Sequence, residues 1–315
     1  MLPLSTLADV HAAAARISAY AHRTPVLTCR SMNDLLGAEV VWKCENFQKV
    51  GAFKFRGACN AVFSLTDAEA QRGVATHSSG NHAAAVALAA RLRGIPAHIV
   101  MPDNAPAVKK AAVAGYGGTM VYCAPTLAAR EETTAQVVQA TGATFIHPYN
   151  DARVIAGQGT AALELLTEVA DLDVIMVPVG GGGLLSGTAL VTAALAPATQ
   201  VIAAEPKAAD DAYRSLQAGT ILPALDPHTI ADGLRTSLGP LTFAIIQRHV
   251  QQIVTVSEAA IIAGMRHIWE RMKIVVEPSA AVPVGALLEK RLDLTGKRIG
   301  VILSGGNVDL AHLPW

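Results

Sequence analysis

Hydrophobic residues along this chain come in short runs that close on glycine, proline, serine or a charged group. "VVWKCEN" (40–46), "GVATHSSG" (73–80), "AHIVMP" (97–102) and "TMVYCAP" (119–125) come first. "DVIMVPVGGGG" (173–183), "QVIAAEP" (200–206), "QIVTVSE" (252–258) and "RIGVILSGGN" (298–307) follow. Their length and β-branched content predict strands. They are apolar at successive rather than alternate positions, so both faces are expected to be buried. Alanine-rich stretches of helical length lie between them, such as "NHAAAVALAARLRG" and "GLLSGTALVTAAL". Strands alternating with helices in this way predict an α/β fold of parallel sheets covered on both sides. Function in such folds gathers at the carboxyl ends of strands, where a turn feeds a helix N-terminus. Three polar, glycine-containing loops fall there: "HSSGNH" (77–82), "VGGGG" (179–183) and "SGGN" (304–307).

One segment breaks the pattern. "GAFKFRGACNAV" (51–62) sets a lysine between two phenylalanines. If it enters a helix, Lys54 shares a face with Ala58, Ala61, Val62 and Leu65, whereas Arg56 lines up with Asn60, Phe63 and Ser64. A lysine on the apolar side is either a snorkelling surface chain or an amine kept uncharged and reactive.

The 315 residues, 51% of them hydrophobic, are ample for a large core, as one domain or two lobes. Lys plus Arg and Asp plus Glu balance at 25 each, so no overall field favours nucleic acid or an anionic membrane. No apolar run is long enough to span a bilayer. The N-terminal stretch carries Asp9, His11 and Arg16 and reads as a helix capped by Ser5 or Thr6 rather than a leader. A cytoplasmic location is expected. Cys29, Cys44, Cys59 and Cys123 have no metal-site spacing and read as small buried hydrophobes.

Four glycines between a strand and a helix let backbone amides converge at the positive end of a helix dipole, which suits a phosphate. The loop lacks both GxxxxGK[ST] and the GxGxxG register. "GQGTAA" (157–162) fits GxGxxA without a clear strand before it. "HSSGNH" holds more polar groups than one helix cap requires and would suit a carboxylate. "AAEPKAADDAYRS" (203–215) carries Glu205, Asp210 and Asp211, read either as a cation site or as carboxylates complementing a helix dipole.

These segments, in this order, resemble the fold-type II pyridoxal-phosphate enzymes, in the serine/threonine dehydratase and serine racemase group. The resemblance covers nearly the whole chain: "GAFKFRGACNA", "HSSGNHAAA", "VIAGQGTAALEL", "VPVGGGGLLSG", "EPKAADDAYRS", "ADGLRTSLG", "WERMKIVVEPSAAV" and "VILSGGNVDL". It implies a tryptophan-synthase-β-like fold of two doubly wound lobes with mainly parallel sheets. Residues 1–72 plus 150–315 would form the large cofactor-binding domain and 73–149 a smaller, mobile one that closes over the substrate. A homodimer is implied as well.

The resemblance also assigns residues. Lys54 would bond covalently to pyridoxal 5′-phosphate and move the substrate's α-proton. Phe53 would lie beside the ring, Asn81 would bond its phenolic oxygen, and Ser304 would meet its nitrogen. Gly180, Gly181, Gly182 and Gly183 would cradle the phosphate. Ser78, Ser79, Asn81 and His82 would hold the substrate carboxylate, with Ser79 as the acid/base on the face opposite the lysine. Glu205, the Ala209 carbonyl and Asp211 would bind Mg²⁺, Mn²⁺ or Ca²⁺. The implied activity is that of a carbon–nitrogen lyase, a dehydratase that converts L-threonine or L-serine to a 2-oxo acid and ammonia. Alternatives are a 3-hydroxyaspartate dehydratase giving oxaloacetate and ammonia, or a serine racemase with side dehydratase activity.

Departures sharpen the picture. "NHAAA" lacks the Gly-Gln of animal serine racemases, which argues against racemisation as the main activity, and Ala52 stands where serine is frequent. "HPYNDARVIAGQGT" and the final "LPW" look closer to bacterial 3-hydroxyaspartate dehydratases. Such a substrate carries a second carboxylate, for which Arg130 and Arg235 are the candidate cations. With the sequence ending just after "SGGNVDL", no C-terminal amino-acid-sensing domain is expected. Two readings from other classes remain, a nicotinamide oxidoreductase resting on "GQGTAA" and a non-catalytic phosphate- or amino-acid-binding protein.

Overall fold

A computed structural model describes residues 4–315. Among these residues ten strands form: β1 (Val26–Thr28), β2 (Glu39–Cys44), β3 (Val74–His77), β4 (Ala97–Pro102), β5 (Thr119–Cys123), β6 (Thr144–Phe145), β7 (Val174–Pro178), β8 (Gln200–Pro206), β9 (Gln252–Val256) and β10 (Arg298–Leu303). They make two sheets, one ordered β1-β2-β10-β7-β8-β9 and the other β5-β4-β3-β6. Every pairing is parallel except β1 with β2. The eight expected strands are present, each inside its run or extending one residue beyond it. The added β1 and β6 are only three and two residues long, too short to carry a periodic signal.

Helices cover both sheets, as two-sided apolar strands require. Residues of β7 are buried throughout, with Val174 and Met176 in one cluster and Ile175 and Val177 in another. The four-stranded sheet packs on its own core, which includes the alanine face of the helix Asn81–Arg93. The N-terminal helix Leu7–Ile17 begins at Thr6, in a capping box with Asp9.

"GQGTAA" belongs to the interior of the helix Ala152–Glu168, not to a strand–helix turn. A Cβ on Gly157 would come within 2.6 Å of Gly57 Cα, and one on Gly187 within 2.5 Å of Gly159 N. These glycines let three helices touch backbone to backbone, so the dinucleotide reading falls.

The helix Lys54–Phe63 departs from the two-faced expectation. It packs against the helices Asn81–Arg93 and Ala152–Glu168, and every residue from Phe55 to Val62 is buried. The face led by Arg56 is therefore interior too, made tolerable by ion pairing. Arg56 bonds Glu45 at 2.7 and 2.9 Å and Glu164 at 2.7 and 2.8 Å, while buried Lys43 bonds Glu164 at 2.6 Å. Asn60 bonds the Arg153 carbonyl. Cys44 and Cys59 are buried as expected, whereas Cys29 and Cys123 are partly exposed.

Candidate active site

The loops after β3, β7 and β10 converge on the N-terminus of the helix Lys54–Phe63. Phe53 N donates to the Ser304 carbonyl at 3.0 Å, and Ala52 forms an antiparallel bridge with Gly305. Lys54 Nζ donates to the Pro148 carbonyl at 2.9 Å and lies 5.2 Å from the centre of the Phe53 ring. Burial lowers this amine to about 8, against the opposing pull of the Glu277 carboxylate. Of the two sequence readings of Lys54, the reactive amine fits these surroundings. A snorkelling chain would keep an ordinary amine in water.

Tyr149, one residue past that carbonyl, packs on the glycine loop. A Cβ on Gly181 would meet its ring at 2.3 Å, and one on Gly180 would meet Leu234 Cα at 2.8 Å. Gly182 holds φ at +86° as N-cap of the helix Gly183–Leu195 and supplies no side-chain cap. First-turn amides at such an end are open to an anion and backed by the helix dipole. The loop therefore fits the phosphate of pyridoxal phosphate, and Lys54 fits its aldehyde.

Ser78 and Ser79 are half-buried on the loop after β3. Gly80, rather than a serine or Asn81, is the N-cap of the following helix, and it makes no side-chain bond there. Capping does not consume the loop's polar groups. Asn81 donates from Nδ2 to both oxygens of Glu277, at 3.0 and 3.2 Å, and accepts from Asn307 at 2.9 Å. His82 is buried with Nε2 on the Ile146 carbonyl at 3.2 Å, and burial holds it well below its ordinary value. It is thus a neutral imidazole, with Nδ1 buried and without a hydrogen-bond partner among the described residues. Ser304 is buried at the end of β10.

Four groups that the sequence reading did not single out complete the site. Glu277 is buried, and burial raises its carboxyl to about 7. Its signal was a carboxylate directly before the proline that opens the helix Pro278–Leu288. Asn307 sat inside "SGGN" without a role. His147 and Tyr149 meet edge to face at 4.6 Å, and His147 in turn meets His77 at 6.1 Å. His147 Nδ1 accepts from the amides of Tyr149 and Asn150, which leaves its proton on Nε2. Burial, His77 and Lys54 lower it to about 4.

The two candidate arginines separate. Arg235 donates Nε to the Thr229 carbonyl at 2.9 Å and a second guanidinium nitrogen to the same oxygen. Arg130 is half-buried, with one long bond to the Thr126 carbonyl and no carboxylate in salt-bridge range among the described residues. Its charge acts on both His77 and Tyr149, where the neighbouring Glu131 carboxylate opposes it.

Glu205, one residue from the end of β8, accepts from the amides of Ala212 and Tyr213 at 3.0 and 2.8 Å, one on each oxygen. It thus caps the helix Asp211–Ala218. Among the described residues, neither buried side-chain oxygen of Asp211 has a hydrogen-bond partner. Burial raises Glu205 to about 9 and Asp211 to about 7. An orphaned buried carboxylate beside a second one and the Ala209 segment fits a hard divalent cation with oxygen ligands. No group of three or more metal-ligating side chains occurs among the described residues. Such a site would draw on backbone carbonyls and water as well.

The fold and the lysine–glycine-loop arrangement define a fold-type II pyridoxal-phosphate-dependent enzyme. The chain belongs to that family, whose model, described as "Pyridoxal-phosphate dependent enzyme", matches residues 17–305. It is similar to the beta-hydroxyaspartate dehydratase of Paracoccus denitrificans, 53% identical over 312 residues, with 99% of each chain covered. Its structure is similar to that of serine racemase from Dictyostelium discoideum, at TM-score 0.94 and 49% identity, covering 97% of this chain and 99% of the other. A threonine deaminase from T.th. is similar too, at TM-score 0.92 and 45% identity, with 97% and 99% covered. The non-catalytic reading therefore loses its basis. Among the described residues no helix is long and apolar enough to cross a membrane.

Proposed function

We propose that this enzyme is a 3-hydroxyaspartate ammonia-lyase, which eliminates water from its substrate and yields oxaloacetate and ammonia. Serine and threonine, the default substrates on sequence grounds, become the weaker ones. The observation that carries this choice is Arg130, a half-buried guanidinium with no ion-pair partner among the described residues, whose charge acts on His77 and Tyr149, beside the Lys54 contact. A substrate with a second carboxylate supplies that partner, whereas serine and threonine do not. The similarity to a beta-hydroxyaspartate dehydratase supports the same choice.

In this reading, Ser78, Ser79 and the first turn of the helix Asn81–Arg93 hold the α-carboxylate, and Arg130 holds the β-carboxylate. Lys54, with its amine near 8, takes the α-proton at Nζ, and a proton delivered to the β-hydroxyl lets that group leave as water. Ser79 offers a hydroxyl on the opposite face. Gly180–Gly183 hold the cofactor phosphate, Phe53, Asn81 and Ser304 surround the ring, and His82 supports the loop as a neutral imidazole. When bound, pyridoxal phosphate supplies the electron sink that makes the α-proton acidic. A neutral hydroxyl at Ser304 makes a weaker sink than a carboxylate would, and so favours prompt loss of the β-hydroxyl. The water leaves an enamine that tautomerises and hydrolyses to the 2-oxo acid and ammonia.

The further parts of this proposal are a divalent cation held by Glu205, Asp211 and the Ala209 carbonyl, and a homodimeric, cytoplasmic enzyme. Residues 73–149 form the smaller lobe, which closes over the substrate. The Lys109–Asp232 ion pair at 2.5 Å supports the closure, since it joins the helix Ala107–Gly115 to the 3-10 turn Asp232–Leu234 beside Gly180.

A panel of L-serine, L-threonine and the four 3-hydroxyaspartate stereoisomers tests the choice, with 2-oxo acid release as readout. Arg130→Ala is expected to cost about 10- to 100-fold in kcat/KM for hydroxyaspartate, the range for a hydrogen bond to a charged group, and to spare serine. Arg235→Ala should spare both. If wild-type enzyme prefers serine or threonine over every hydroxyaspartate isomer, the assignment is wrong.

A further inference from the structure

A buried chain of hydrogen bonds of single polarity runs through Asn81. Val50, just before the active lysine, is a buried β-branched residue held at φ +56°. That backbone conformation is rare for its type and persists only where the surroundings impose it. The Val50 carbonyl accepts one Asn307 Nδ2 hydrogen at 2.6 Å, and the other goes to Asn81 Oδ1 at 2.9 Å. Both side-chain donors of Asn307 are therefore spent, and its orientation is fixed. Asn81 Nδ2 then faces Glu277, with Oε1 at 3.0 Å and Oε2 at 3.2 Å. Glu277 Oε2 also accepts from the Asn307 backbone amide at 3.1 Å. A side chain on Gly305 would sit 2.7 Å from Glu277 Oε1, so the loop after β10 closes on the carboxylate.

A flipped Asn81 amide would set its oxygen against two carboxylate oxygens and its nitrogen against the Asn307 donor. The second contact is repulsive in either protonation state of Glu277, and the first is repulsive when Glu277 is ionised. One Asn81 Nδ2 hydrogen is shared by the carboxylate, and one is left over. Asn81 follows β3 in the four-stranded sheet, while Glu277 and Asn307 flank the six-stranded one, so the chain of bonds also ties the two together.

We propose that Glu277 is a positioning residue that sets the polarity of the Asn81 amide and presents its remaining Nδ2 hydrogen to the cofactor's phenolic oxygen. The proposal rests on the reading that pyridoxal phosphate occupies this site with that oxygen toward Asn81. Glu277→Gln places an amide where two donors converge, so it releases or turns Asn81.

The test uses full-length enzyme, stripped of cofactor and titrated with pyridoxal phosphate. Wild type should bind it and show a visible band. In Glu277→Gln that band should lose intensity to a near-ultraviolet one, because the phenolic oxygen takes up a proton when its donor is lost. The affinity of the stripped protein for the cofactor should fall about 10- to 100-fold, the range for a charged hydrogen bond. Asn81→Ala should shift the band in the same direction, and adding Glu277→Gln to it should change nothing more. Glu277→Gln with a wild-type band, or shifts that add in the double variant, would overturn the proposal and leave Glu277 a folding residue. Should Glu277→Gln not fold, Asn307→Ala removes one brace on Asn81 and keeps the carboxylate. A smaller shift in the same direction is then expected, and an unchanged band there refutes positioning. Wild type that binds no pyridoxal phosphate would instead sink the cofactor reading itself.

Discussion

Arg56→Met cuts the ion network beside Lys54 at its centre. Arg56 is 1% exposed and Glu45 is fully buried. Without the guanidinium, Glu164 keeps Lys43, but Glu45 keeps only the Thr24 hydroxyl at 2.5 Å. Removing one partner of a buried pair and stranding the other charge costs about 3–5 kcal/mol. Unfolding entropy of about 2.1 cal/mol/K per residue comes to about 0.66 kcal/mol/K over 315 residues. The loss then corresponds to a fall of about 5–8 °C in Tm. Thermal and urea unfolding of the cofactor-free protein, followed by circular dichroism, measures it. The sharper check is the second substitution. Glu45→Met in the Arg56→Met background removes the stranded charge and should recover a large part of the loss, because an apolar replacement of a buried pair is often neutral. A fall below about 1 kcal/mol in the single variant, or a further fall in the double one, would show that the network does not hold the helix Lys54–Phe63 in place.

Lys54 in the cofactor-free protein should react with an amine-directed reagent with a midpoint near pH 8. Burial favours the neutral amine, so reactivity rises through about pH 8, well below an ordinary lysine. A mapped Lys54 adduct with a midpoint above pH 10 would contradict the desolvation argument. Mg²⁺, Mn²⁺ or Ca²⁺ at about 100 times its Kd should add about 2.7 kcal/mol by mass action, or about 4 °C in Tm. Asp211→Ala should abolish that increment, and an increment that survives would place the ion elsewhere. Gly181→Ala pushes a Cβ to 2.3 Å from the Tyr149 ring, so it should cost about 1–3 kcal/mol and weaken cofactor binding. A stable variant with wild-type cofactor affinity would mean that the loop relaxes freely.

The patterned parts of the molecule were legible before folding. Strands buried on both faces announce themselves as continuous apolar runs, and eight of them appear where the pattern puts them. The glycine loop and the serine loop were legible because each concentrates an uncommon residue type at a strand end. Lys54 stood out because a charge between two phenylalanines is costly unless it has a purpose. Arg56 misled for the same reason: periodicity assigns charge to a solvent face, and it cannot anticipate Glu45 and Glu164 arriving from distant parts of the chain.

Only the tertiary structure turned Arg235 onto the Thr229 carbonyl and left Arg130 without a carboxylate partner among the described residues. It moved "GQGTAA" from a candidate nucleotide loop to a helix contact, and it joined Asn81, Glu277 and Asn307, which lie 196 and 30 residues apart along the chain. Local order follows from what each residue does with its neighbours in sequence, so it can be read from spacing. Whether an ionisable group is paired, stranded or held neutral depends on partners delivered by the fold, and on the water that their arrival excludes.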